Sequence, residues 1–198
     1  MRDNRGFGPG AALDKTLFKL GSLQGDSVTP FRYSNRFKTE KTTGPDRLCI
    51  GMDEAHISLL WKLAFSLPAP YYVLYVLHTS RCGTHLGRYQ SPALDYHKLS
   101  GFIAEFCEFL TNDARHDVWI HSPDADATLV WDRHDLIYAY GPLESFRALL
   151  KELQEAEVDG PPHPHVHMYH AEYDDAERKL LRYFAWSYSP LLAVDEQF

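Results

Sequence analysis

Cys49, Cys82 and Cys107 are the only thiols in this chain of 198 residues. They are widely spaced and odd in number, which excludes a disulfide framework and a paired CxxC metal knuckle. Free thiols in a reducing compartment are the expectation, with Cys49 in a strand-like run and Cys107 in an amphipathic helix packing as small hydrophobes. Long apolar runs are lacking as well. The longest, Tyr71 to Leu77, falls far short of the ~20 residues that a membrane helix needs. Met1 to Gly10 carries charges and glycines with no apolar stretch behind them, a pattern against a secretory signal. A cytoplasmic location, with no membrane partner, is expected.

The common signatures of nucleotide and hydrolase chemistry are missing too. There is no GxGxxG or GxxxxGK[ST] to cradle phosphates, no GxSxG elbow for a serine nucleophile, and no HExxH. What is present is a globular composition: 44% hydrophobic and 14% aromatic residues, enough apolar surface to offset the entropy of ordering most of the backbone. The formal charge of −7 is divided unevenly. Residues 1–45 carry eight Lys/Arg against four Asp/Glu, and residues 46–198 carry twelve against twenty-three. The expected organisation is therefore a basic, Gly/Pro-punctuated N-terminal arm over 1–45 and a single acidic domain over 46–198. Such a body repels phosphate backbones, so nucleic acid is not the expected partner.

Within the arm, Leu13, Leu17 and Leu20 have the spacing of a short helix, and Phe31 to Lys38 alternates as an edge strand does. From Arg47 the pattern sharpens. Leu48-Cys49-Ile50 reads as a strand, Asp53 as an N-cap, and Ile57, Leu60, Trp61 and Ala64 as one helix face. Tyr71 to Thr79, apolar on both faces, reads as a central strand. After a Gly/Pro-punctuated loop over 81–92, Asp95 caps a helix bearing Leu99, Phe102, Ile103, Phe106, Phe109 and Leu110. Three short strands follow at 117–121, 127–131 and 136–140, separated by Asp-rich turns, and they make an antiparallel meander. A proline-initiated helix after Gly141, a strand at 165–169 and a helix through Tyr173 to Phe184 complete the chain. The fold class this implies is α+β: a mixed, largely antiparallel sheet built from two β-α-β units and a three-stranded meander, with helices mainly on one face.

The local feature that stands out is Pro162-His163-Pro164-His165-Val166-His167-Met168-Tyr169-His170. Strand residues two apart share a face, so His165 and His167 offer two imidazoles to one divalent metal ion, with His163 close by. A third ligand must come from elsewhere, and His85, His97, His116, His121, His134 and several aspartates are the candidates. The plainer reading puts these histidines on a solvated face, with Val166 and Met168 inward.

Other residues carry weaker chemistry. Asp124, Asp126, Asp132 and Asp135 flank the meander turns, where aspartate is favoured for its own hydrogen bonding. Cys82 lies near Arg81, Arg88 and His85, an arrangement that suits a nucleophilic thiol or an anion site. Tyr138, Tyr140, Tyr169, Tyr173, Tyr183, Trp186 and Tyr188 crowd the last third, and aromatic residues with a polar handle favour interfaces. The leading expectation is a non-catalytic binding protein without a cofactor, meeting a protein partner or a second copy through an acidic, aromatic-rich surface. The alternative is a metal-dependent hydrolase using the 163–170 strand.

Overall fold

Alternation along each strand and three-to-four spacing along each helix sort the chain into layers. The computed structural model describes residues 17–196. Its strands are β1 (Leu20–Gln24), β2 (Ser27–Pro30), β3 (Arg36–Glu40), β4 (Arg47–Gly51), β5 (Tyr72–Leu77), β6 (Gly87–Gln90), β7 (His116–Ser122), β8 (Ala127–Trp131), β9 (Ile137–Tyr140), β10 (Gln154–Glu155), β11 (His165–His167) and β12 (Ser187–Ser189). The helices are α1 (His56–Ala64), α2 (Tyr96–Asn112), α3 (Leu143–Leu149) and α4 (Asp174–Leu180).

Nine strands form one sheet in the order β10-β3-β4-β9-β8-β7-β5-β6-β12, and β11-β1-β2 form a second, smaller sheet. Every pairing is antiparallel except that of β10 with β3. This is the expected α+β class with its mixed, largely antiparallel sheet. The meander is β7-β8-β9, and β5 lies inside the sheet between β7 and β6, as its two apolar faces require. The unit β4-α1-β5 returns to the same sheet with β9, β8 and β7 between its strands. The second unit behaves differently: the short β10 that follows α3 joins the large sheet beside β3, and the strand expected over 165–169 is β11, which lies outside the large sheet and pairs with β1.

The large sheet has two unlike faces. Leu48 and Ile50 of β4, Val73, Tyr75 and Leu77 of β5, Val118 and Ile120 of β7, Leu129 and Trp131 of β8 and Ile137 and Ala139 of β9 form one core with apolar residues of all four helices. Asp95 accepts the Lys98 N–H at 2.8 Å and so starts α2, whose Leu99, Phe102, Ile103, Phe106, Phe109 and Leu110 are all buried. On the opposite face, Cys49, Val130 and Tyr138 pack with Leu20, Tyr33, Leu136 and Val158 in a second core. Gly51 permits this close approach, because a Cβ there would lie 2.8 Å from the Cβ of Tyr33.

Local details depart from the sequence reading. Leu20 opens β1 instead of closing a helix, and Leu13 lies outside the described residues. Gly25, at φ 61°, makes the two-residue turn between β1 and β2, a hairpin signal stronger than the leucine spacing. The strand expected over 31–38 runs over Arg36–Glu40 and is flanked by β10. The N-cap of α1 is Ala55, not Asp53. The loop over 81–92 contains β6, which pairs with β5 and β12.

Candidate metal centre

The turn joining β8 to β9 is built by its aspartates. Asp132 accepts the Leu136 N–H on Oδ1 at 2.8 Å, and its carbonyl accepts the Asp135 N–H at 3.1 Å. Asp135 occupies the left-handed region at φ 67°, where aspartate is tolerated better than most residues. Asp117 accepts the Arg133 N–H at 2.8 Å, and the Tyr33 hydroxyl donates to the His134 carbonyl at 2.9 Å. These contacts fix the backbone of Arg133 and His134 beside the edge of the smaller sheet.

On that sheet, β11 pairs with β1 so that His167 lies opposite Leu20 and His165 opposite Ser22. The register continues as Met168 donates to the Lys19 carbonyl at 3.0 Å. His165 and His167, two residues apart, therefore share a face, and the face they share meets His134. The ring centroids are 5.3 Å apart for His134 and His165, 4.8 Å for His134 and His167, and 5.1 Å for His165 and His167. Among the described residues, these three side chains bring one ligand atom each within 4.8 Å of one another, His134 buried and the other two half-buried. His163 is exposed and lies outside this group.

The hydrogen bonds around the rings define their free nitrogens. His165 Nδ1 lies 2.9 Å from the Pro162 carbonyl, which can only accept, so Nδ1 carries the proton and Nε2 keeps its lone pair. His134 Nδ1 lies 3.3 Å from Asp132 Oδ2, and donation to that carboxylate likewise frees Nε2. His167 Nε2 is buried with no hydrogen-bond partner. Burial, reinforced by the neighbouring His134, His165, Arg133 and Lys19, pushes the His167 imidazole down to about 3, so it stays neutral and able to ligate across the ordinary pH range. Burial raises the Asp132 carboxyl, against the opposing hydrogen bond from His134.

Other polar groups concentrate at this end of the sheet. Asp117 also bonds His78 Nε2 at 2.9 Å, with both side chains buried. Lys19 is buried, and its Nζ, 4.2 Å from the Trp131 ring centroid and 3.9 Å from Asp135 Oδ1, makes no hydrogen bond. Burial lowers its amine below the usual range. His56 lies parallel to the Trp131 ring, centroids 5.8 Å apart, with Nε2 3.6 Å from Asp135 Oδ2. Neither Lys19 nor His56 stands out in the sequence, since nothing local marks a lysine or a helix-start histidine as buried.

The remaining candidates find ordinary roles. Cys82 Sγ donates to the Asp174 carbonyl at 3.3 Å, and burial with nearby Glu177 and Asp174 raises its thiol, the opposite of nucleophile activation. Arg81 and Arg88 are taken by Asp174 and Asp195 at 3.3 and 3.2 Å, so they do not form an anion site. Asp126 ends a short 3-10 turn in the left-handed region. Much of the aromatic crowd is packing: Tyr183, Phe184 and Trp186 lie against Phe102 of α2.

In comparisons with known proteins, no family model, no curated protein and no solved structure matches this chain.

Proposed function

We propose that this chain is a metal-dependent hydrolase whose centre is a zinc-class divalent ion held by His134, His165 and His167. One observation carries the reading: an imidazole from the β8–β9 turn and two from β11 meet with ring centroids 4.8, 5.1 and 5.3 Å apart. An ion bound tetrahedrally at ~2.0–2.1 Å from three imidazole nitrogens sets their ring centroids about 5 Å apart. The orphaned Nε2 of His167 and the proton placements on His134 and His165 agree with that arrangement.

Three protein ligands leave a fourth position open, the pattern of catalytic zinc rather than of structural zinc. Held by His134, His165 and His167, such an ion would supply a bound water of lowered pKa and a Lewis acid for a carbonyl or phosphoryl oxygen. The chain supplies the rest. Asp132 orients the His134 ring and strengthens it as a ligand, and the Pro162 carbonyl does the same for His165. His134 is buried, and His165 and His167 are half-buried.

Elemental analysis of protein purified without a histidine tag tests this. One zinc-class ion per chain is expected, lost in His134→Ala, His165→Ala and His167→Ala and kept in His163→Ala. A wild-type chain that takes up no stoichiometric metal overturns the reading. A non-catalytic binding role draws on a separate observation, the exposed Tyr188, Leu192 and Val194 near the end of the chain. Concentration-dependent self-association, abolished by Leu192→Asp, is its mark.

A further inference from the structure

We infer that Arg133 is the anion-recognition residue of this centre, and that the substrate presents an oxyanion, phosphoryl or carboxylate, beside the bond to be cleaved. The inference rests on the metal reading above and names the substrate class of that site.

Arg133 directly precedes the ligand His134, and its backbone is pinned by the hydrogen bond from its N–H to Asp117 Oδ1. Its Nε is buried with no acceptor. No described carboxylate pairs with its guanidinium, whereas other arginines of the chain do find partners: Arg47 with Glu40 at 2.9 Å, Arg88 with Asp195 at 3.2 Å, Arg115 with Asp113 at 2.8 Å and Arg178 with Asp175 at 2.7 Å. Arg36 and Arg182 likewise have no carboxylate partner among the described residues, and what sets Arg133 apart from them is the burial of its unpartnered Nε.

Two neighbouring carboxylates are engaged elsewhere. Asp132 serves His134 and the Leu136 N–H, and Asp117 serves His78 and the backbone of Arg133 itself. A partly buried guanidinium without an acceptor is costly, and an incoming oxyanion offsets that cost through two parallel charge-assisted bonds that fit the planar fork. A nucleic-acid polyanion is disfavoured by the acidic body, so the ligand is a small molecule with one such group.

Cobalt-loaded full chain provides the test, with inorganic phosphate and acetate as separate probes. Cobalt(II) reports on its coordination sphere through its visible absorption. Phosphate or acetate is expected to shift that spectrum, and Arg133→Gln to weaken the apparent Kd about 10- to 100-fold with cobalt stoichiometry unchanged. Arg133→Lys, which keeps the charge and loses the fork, falls between and serves for comparison if the glutamine variant does not fold. A shift by one anion alone names the group. No shift by either, or equal shifts in wild type and variant, overturns the inference while the metal reading stands. A wild-type chain that binds no cobalt removes both.

Discussion

Arg115 Nη1 donates to Glu177 Oε2 at 2.6 Å, and neither side chain has exposed surface. The same guanidinium donates to Asp113 Oδ1 and Oδ2 at 2.8 and 2.9 Å and to the His170 carbonyl at 2.9 Å. Glu177, on α4, also accepts from Ser80 at 2.6 Å and Thr84 at 2.8 Å on its other oxygen. Burial alone disfavours the charged guanidinium, but its carboxylate partners outweigh that and hold it above its ordinary range. This network ties α4, the loop after β5 and the entrance to β7 together at the end of the sheet that carries the histidines.

Removing one partner of a fully buried pair costs ~3–5 kcal/mol when it strands the other charge; Arg115 keeps Asp113, so the loss here falls at the low end, about 3 kcal/mol. Glu177→Gln is therefore expected to lower unfolding stability by about that amount, read from urea denaturation with the m-value held constant. A loss below about 1 kcal/mol would show that water screens the pair as it does at a surface.

Asp132 offers a sharper probe of the centre, because its two oxygens do different things. Asp132→Asn keeps an acceptor for the Leu136 N–H, so the turn survives, and removes the negative charge behind His134. Metal affinity is expected to fall about 10- to 100-fold with little change in fold. Competition with a chelator measures it; unchanged affinity would mean that Asp132 only builds the turn.

The sequence shows the scaffold more fully than the centre. Asp95 and the spacing from Leu99 to Leu110 define α2, and the Asp-rich turns between apolar runs define β7-β8-β9, because capping, period and turn chemistry are local. His165 and His167 are legible as a pair for the same reason: a period of two puts them on one face. Their partner His134 is one of several histidines that local pattern cannot rank, since it arrives through a turn of the other sheet. Asp132 and Asp135 do perform the turn chemistry read for them, and that role conceals the second use of Asp132. Pattern identifies β11 as a strand but does not choose β1 as its neighbour. Lys19 is hidden most completely, because the glycines around it suggest a loose arm where Gly25 in fact turns a hairpin.

Acid should weaken the metal-free fold. Burial holds His167, His56 and His116 below their ordinary range, so each is neutral in the folded chain. The unfolded chain takes up these protons from about pH 6.5 downward, while His167 resists until about 3. Stability from these groups is thus present above about pH 6.5 and lost as pH falls below it. Denaturation midpoints are expected to drop steadily from pH 7 to 5. His116→Leu, replacing a ring packed against Phe109 and Tyr75, is expected to flatten that slope; an unaltered slope would assign the acid sensitivity to other groups.

The position of the histidines gives the ion a second consequence. His134 lies on the turn between β8 and β9 of the large sheet, and His165 and His167 belong to the small one, so an ion bound by all three would cross-link the two. Without it, the small sheet is held to the large one by the Leu20, Tyr33 and Leu136 core and by a few hydrogen bonds, such as Ala114 N–H to the Met168 carbonyl at 2.9 Å. Local opening free energies follow the contacts that a segment makes. Chelation is therefore expected to speed amide exchange across 19–30 and 163–170 while β7 and β8, paired on both sides inside the large sheet, stay protected. Hydrogen exchange read by mass spectrometry with and without metal measures this directly. A uniform change along the chain would place the ion elsewhere, and no change at all would mean that the two sheets do not depend on it.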